Sequence, residues 1–124
     1  MIKSQGGGGR TRRIAALLKR ELAQLIQQEL NDSRVTKTTI TAMDVAPDLS
    51  HAKVYVTHLS GVAHAHEIVG ILNKAGGFLR RELAHRIELR TIPQLRFLYD
   101  ESVERGVALS NLIDRARAED EKKP

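Results

Sequence analysis

The first clear pattern along the chain is a helical one. Ile14, Leu17, Leu18, Leu22, Leu25, Ile26 and Leu30 recur at intervals of three and four. That spacing draws one apolar stripe along four turns of α-helix. Thr11 reads as its N-cap, and Asn31-Asp32-Ser33 as its stop. Before it, Gln5–Gly9 reads as a flexible lead-in with nothing to bury. Thr36 to Val45 is rich in β-branched residues and reads as a strand. Its alternation is imperfect. Ile40 and Ala42 fall on one face, Met43 and Val45 on the other, so a bulge or burial of both faces is expected. Pro47-Asp48-Leu49-Ser50 is a turn, after which Ala52, Val54 and Val56 alternate with Lys53, Tyr55 and Thr57. The two strands form an antiparallel hairpin.

Gly61 breaks the pattern, and a helical period returns from Ala63 through Ile68, Val69, Leu72, Leu79, Leu83 and Ile87. Ala75-Gly76-Gly77 interrupts it. Two glycines within a helix cost about 2 kcal/mol relative to alanines, so a kink or a junction of two helices is expected there. After Pro93, the alternation of Leu95, Phe97 and Tyr99 gives a third strand. A last helix, capped by Asp100 or Ser102, runs to about Arg117 before a frayed tail. The organisation is an arm over residues 1–9, a domain over 10–100 and a tail over 101–124. The fold class is α+β: a three-stranded sheet with helices on one face, burying the aliphatic stripes.

Composition narrows the chemistry. At 124 residues the chain fits one domain, and at 3% aromatics its core must be aliphatic. Cysteine is absent, which excludes disulfides, thiolate metal sites and thiol nucleophiles. No apolar run approaches the roughly 18 residues of a membrane helix, and the first thirteen residues hold no secretory apolar stretch. A cytoplasmic location without membrane association is expected.

Charge changes the picture more. The net charge is +5, unevenly spread. Residues 1–20 carry Lys3, Arg10, Arg12, Arg13, Lys19 and Arg20 with no acid. Residues 21–73 are net −3, residues 74–96 net +4 and residues 97–124 net −2. Either basic block alone reads equally well as a solvated face. Both together, on a folded surface, point to a polyanionic partner. Arginines at the start of a helix oppose its dipole, so stability alone does not account for Arg10, Arg12 and Arg13.

The glycine pair matters for the same reason. Glycine lets the backbone approach a phosphate chain closely, and the following helix presents free N–H groups. Arg80 and Arg81 add bidentate donors, and Lys74 precedes the break. The plainer reading is that the glycines permit close helix packing. Candidate RNA-contacting residues are Arg10, Arg12, Arg13, Lys19, Arg20, Lys74, Ala75, Gly76, Gly77, Arg80, Arg81, Arg86 and Arg90.

Other chemistry finds little support. Gly6–Gly9 lacks both a preceding strand and the Gly-Lys-Ser/Thr ending of a phosphate loop. His64 and His66 are two apart and diverge on a helix, so a metal site with His58 requires an unusual loop. No catalytic triad or carboxylate pair stands out. Two phenylalanines and two tyrosines are too few for a base-stacking sheet.

Four blocks in order carry a resemblance. They are Arg12-Arg13-Ile14 with its leucine stripe, Asp48 to Val56, Leu72 to Leu83, and Pro93 to Ser102. Over about residues 8–118 the chain resembles the bacterial ribosome-binding factor A family. The resemblance implies a type II KH-like fold, α-β-β-α-kink-α-β, in which a helix–kink–helix with an Ala-x-Gly signature replaces the usual glycine loop. Ala75-Gly76-Gly77 matches it, with an extra glycine in the middle. The resemblance further implies a non-enzymatic factor, without a cofactor, acting as a monomer. Its implied partners are the free 30S ribosomal subunit and its 16S rRNA. It implies a part in late maturation, including 5′-end processing and growth in the cold, alongside assembly GTPases. The alternatives are a general KH-like RNA chaperone acting on free transcripts, and a small metal-dependent hydrolase using the histidines.

Overall fold

In the computed structural model, which describes residues 8–102, the elements follow the expected order. They are α1 (Gly8–Glu29), β1 (Thr38–Val45), β2 (His51–His58), a 3-10 turn (Gly61–His64), α2 (Ala65–Lys74), α3 (Gly76–Arg86) and β3 (Gln94–Tyr99). The sheet order is β1-β2-β3, antiparallel between β1 and β2 and parallel between β2 and β3. This is the KH-like α+β arrangement that the resemblance implied.

The core is aliphatic. Leu18, Leu22, Leu25 and Ile26 of α1 are buried, with Ile68 and Leu72 of α2 and Leu79 and Leu83 of α3. They pack with Ala52, Val54 and Val56 of β2 and with Phe97, the one fully buried aromatic among the described residues. The hydrophobic periodicity thus becomes the contact surface itself, which is where most of the stability of helices arises.

Several boundaries differ from the sequence reading. α1 begins at Gly8, so Gly8 and Gly9 belong to the helix rather than to the lead-in, and Thr11 lies inside the first turn instead of capping it. Packing of the stripe carries the helix past residues of poor propensity. Thr36 is not in β1. Its hydroxyl donates to the Ser33 carbonyl at 3.1 Å and holds a turn in which Val35 is buried. The bulge is real: the β1–β2 register slips between Ile40 and Ala42. The extra residue, Thr41, turns Ala42 outward, so Ile40, Met43 and Val45 face Val56, Val54 and Ala52 respectively. Ala42 therefore does not share the core face with Ile40. Ala63 falls in the 3-10 turn, and Ile87 lies just past α3 in extended backbone. The last helix expected beyond Ser102 lies outside the described residues.

The hairpin turn has its own supports. Leu49 takes a positive φ of 62°. The Asp48 carboxylate accepts from the Ser50 hydroxyl at 2.7 Å and the Ser50 amide at 3.1 Å. Those hydrogen bonds, the hydroxyl's first, hold the Asp48 carboxyl below the usual range. The Ser50 carbonyl then accepts from the Gln94 amide at 3.0 Å, which starts β3 beside the turn.

Candidate nucleic-acid interface

The kink sits at Ala75 (φ −82°, ψ −1°), between the end of α2 and the start of α3. Its amide still donates to Ile71 at 3.1 Å, and its carbonyl accepts from Leu79 at 2.9 Å. One residue thus closes one helical ladder and opens the next. No side chain caps α3. Gly76 is buried against β3, where an added Cβ would lie 3.7 Å from the Leu95 carbonyl oxygen. Gly77 is exposed. Neither has a positive φ. The backbone shape therefore does not demand glycine. What Gly77 provides is an exposed position without a side chain in the first turn of α3.

Three adjoining clefts run from the kink. The first is lined by Asn73, Gly76, Gly77, Arg80, Gln94 and Leu95. The second shares Arg80 and adds Arg81, Ala84, Leu89, Arg90, Thr91 and Ile92. The third shares Leu89, Arg90 and Thr91 and reaches Arg10, Asp48, Leu49 and Glu88. The fold therefore joins the two basic blocks: Gly76, Gly77, Arg80, Arg81, Arg90 and Arg10 line one continuous surface. The middle cleft holds three arginines and no acid. The third balances Arg10 and Arg90 against Asp48 and Glu88.

Not every candidate lies on it. Arg80 is half-buried, and its Nε donates to the Ile92 carbonyl at 2.9 Å. That bond ties α3 to the segment before β3 and leaves the rest of the guanidinium at the groove. Arg86 turns to α1 instead, with Nη1 3.6 Å from Glu21 and Nη2 donating to Gln28 at 3.2 Å. It joins two helices and is partly neutralised. Arg12, Arg13, Lys19 and Arg20 lie along α1 and line none of the three clefts, and Arg20 approaches Glu21 at 3.7 Å. Lys74 is exposed on the last turn of α2, directly before Ala75.

Asn73 went unassigned in the sequence reading. Its carboxamide accepts from the Phe97 amide at 2.8 Å and donates to the Phe97 carbonyl at 3.1 Å. It anchors the last turn of α2 to the outer edge of β3, two residues before the kink. The only sequence signal is a polar residue next to the apolar stripe just before the glycines. Of the histidines, His58 and His64 border one cleft and His66 does not. Among the described residues no group of three or more His, Cys, Asp or Glu stands within reach of one metal ion.

The family model described as ribosome-binding factor A matches residues 10–113. The chain is 53% identical over 116 residues to a ribosome-binding factor A from Stutzerimonas stutzeri, covering 91% of this chain and 90% of that one. A crystal structure of ribosome-binding factor A from Thermus thermophilus superposes with a TM-score of 0.67 at 32% identity, covering 73% of this chain and 96% of the other. A homology model of the Thermus thermophilus protein, fitted into the cryo-EM map of its complex with 30S, gives a TM-score of 0.60 at 34% identity. It covers 72% of this chain and 93% of that one.

Proposed function

The chain belongs to the ribosome-binding factor A family, and from that premise we propose that it binds the free 30S ribosomal subunit and assists its late maturation. The observation that carries the reading is the continuous groove from Gly76 and Gly77 through Arg80, Arg81 and Arg90 to Arg10. The exposed Gly77 at the start of α3, beside the exposed guanidinium groups of Arg81 and Arg90, suits phosphate oxygens of structured RNA. With few aromatics on offer, recognition rests on RNA shape and backbone rather than on stacked bases.

The factor works by binding, without catalysis. It holds an immature 16S rRNA conformation, including the region of 5′-end processing, while assembly GTPases act on the same subunit. It is released when the mature conformation no longer fits the groove. It acts in the cytoplasm as a monomer.

Sedimentation through sucrose gradients with 30S, 50S and 70S particles at two salt concentrations tests this. The expected result is association with free 30S alone, weakened by salt, because each neutralised phosphate adds about 0.7–0.9 to the log–log salt slope. Equal binding to all particles, or binding to free RNA only, would overturn the reading in favour of a general KH-like RNA chaperone.

A further inference from the structure

The outer face of α1 carries charge that the three clefts do not use. Arg12 and Lys19 are seven residues apart, and so are Arg13 and Arg20. Seven residues make nearly two full turns, so each pair forms a row about 10 Å long down the helix. The two rows run side by side, roughly a quarter of the way round the helix from each other. Ala16 is exposed and lies midway between the rows and midway along them. The buried stripe of Ile14, Leu18, Leu22 and Leu25 occupies the other side. The helix therefore presents four cations at the corners of a rectangle, with a methyl group at its centre.

The fold does not neutralise this charge. Arg12, Arg13 and Lys19 make no ion pair among the described residues. Arg20 stands 3.7 Å from Glu21, but Arg86 of α3 reaches the same carboxylate at 3.6 Å. Glu21 is the first acid of the chain, and the next in α1 is Glu29 at its far end. Helix stability does not explain the pattern either, since cations early in a helix oppose its dipole. Such a face draws a polyanion.

Its shape selects among nucleic acids. α1 holds no aromatic side chain, so it offers an unpaired base nothing to stack on. Two rows of cations flanking a small residue suit two phosphate backbones with a groove between them. In A-form RNA the minor groove is the wide, shallow one, read through its 2′-hydroxyls and phosphates.

We infer that the first half of α1 lies in the minor groove of a double-stranded RNA segment. Arg12 and Lys19 meet one strand, Arg13 and Arg20 the other, and Ala16 faces the groove floor. The inference rests on the 30S reading above and deepens it. Arg10, at the start of the same helix, lines the last of the three clefts, so the two surfaces adjoin. One molecule thus holds a duplex along α1 and a second RNA backbone at the kink.

The chain has no cysteine, so Gln27→Cys, exposed seven residues beyond Arg20, gives a unique thiol for an iron–EDTA tether. On purified free 30S subunits the tethered iron is expected to cut two rRNA strands that pair with each other. Arg12→Gln with Lys19→Gln, Arg13→Gln with Arg20→Gln, Ala16→Leu and Arg81→Ala are titrated against the same subunits. Each row variant is expected to bind about tenfold more weakly and to lower the log–log salt slope by about 2, at a native or higher melting temperature. Ala16→Leu keeps the charge and a strong helix former, and is expected to weaken binding by a similar factor at a nearly native salt slope. Cuts confined to unpaired rRNA, or no cuts, would overturn the inference. So would full-strength binding by either row variant or by Ala16→Leu. In each of those cases selection of 30S by the native chain, with weaker binding of Arg81→Ala, leaves the 30S reading standing. If the native chain does not select 30S, that reading itself fails and the inference with it.

Discussion

The side chain of Asn73 pairs with both backbone polar groups of Phe97, as a neighbouring strand would. β3 is an edge strand, and Phe97 is the residue it sends into the core. Asn73 thus closes one position of an open edge and fixes α2 against it two residues before the kink. Asn73→Ala leaves the Phe97 amide without that partner. Thermal unfolding is expected to show a loss of about 1 kcal/mol or somewhat more. Asn73→Asp keeps the acceptor and loses the donor, so it should fall between the native chain and the alanine variant. An alanine variant as stable as the native chain would show that water serves Phe97 equally well.

Arg80 and Arg81 are adjacent in sequence and differ in role. Arg80 spends its Nε on the Ile92 carbonyl, whereas Arg81 is exposed beside the groove. Arg80→Ala is expected to lower stability by about 1–2 kcal/mol, because the lost bond is charge-assisted and partly buried. Arg81→Ala should leave the melting temperature within a degree or two. It should weaken 30S binding and reduce the log–log salt slope by about 1. Measuring melting and binding on both single variants separates the two roles. A fall in stability for Arg81→Ala would count against its assignment to the interface.

Much of this was legible because it depends on local pattern. The stripe from Ile14 to Leu30 is the buried face of α1, and the uneven alternation of β1 signalled its bulge. The glycine pair marked the kink. What the pattern did not carry was partnership over distance. Arg80 meets Ile92 twelve positions on, and Arg86 meets Gln28 fifty-eight positions back. Both read as free cations in a linear charge count, and one of them serves largely to join α3 to α1. Asn73 was silent for the same reason, since Phe97 is twenty-four residues away.

Gly77 offers a clean separation of packing from recognition. It is exposed in the first turn of α3, and a Cβ there would meet only the far end of Arg81, at 3.8 Å. Gly77→Ala is therefore expected to keep stability or raise it by up to about 1 kcal/mol, from helix propensity and a less flexible unfolded chain. If the backbone at this point approaches RNA phosphates, the same variant should bind 30S more weakly, and Gly77→Val more weakly still. Equal binding by all three forms would show that the main chain at the kink is not in the contact.

Acid should loosen the joint between α1, β1 and α2. The Asp32 carboxylate accepts from Arg34 three times: from Nε at 3.0 Å, from Nη2 at 2.8 Å and from the backbone amide at 3.0 Å. The side-chain hydrogen bonds of Arg34 come first in holding the Asp32 carboxyl below its ordinary 3.8, followed by the backbone bond. Arg34, in turn, is held charged chiefly by Asp32 and further by Glu67 of α2. Because the folded value is depressed, the contribution of Asp32 is fully present above its ordinary value. It is lost as pH falls through the depressed one. A carboxyl-detected NMR titration is expected to place the Asp32 midpoint below 3.8, and Arg34→Gln should move it back up. The pair is solvent-exposed, so added salt should shrink the difference between the two proteins. An unshifted midpoint in the native chain would mean that the fork between Asp32 and Arg34 does not persist in solution.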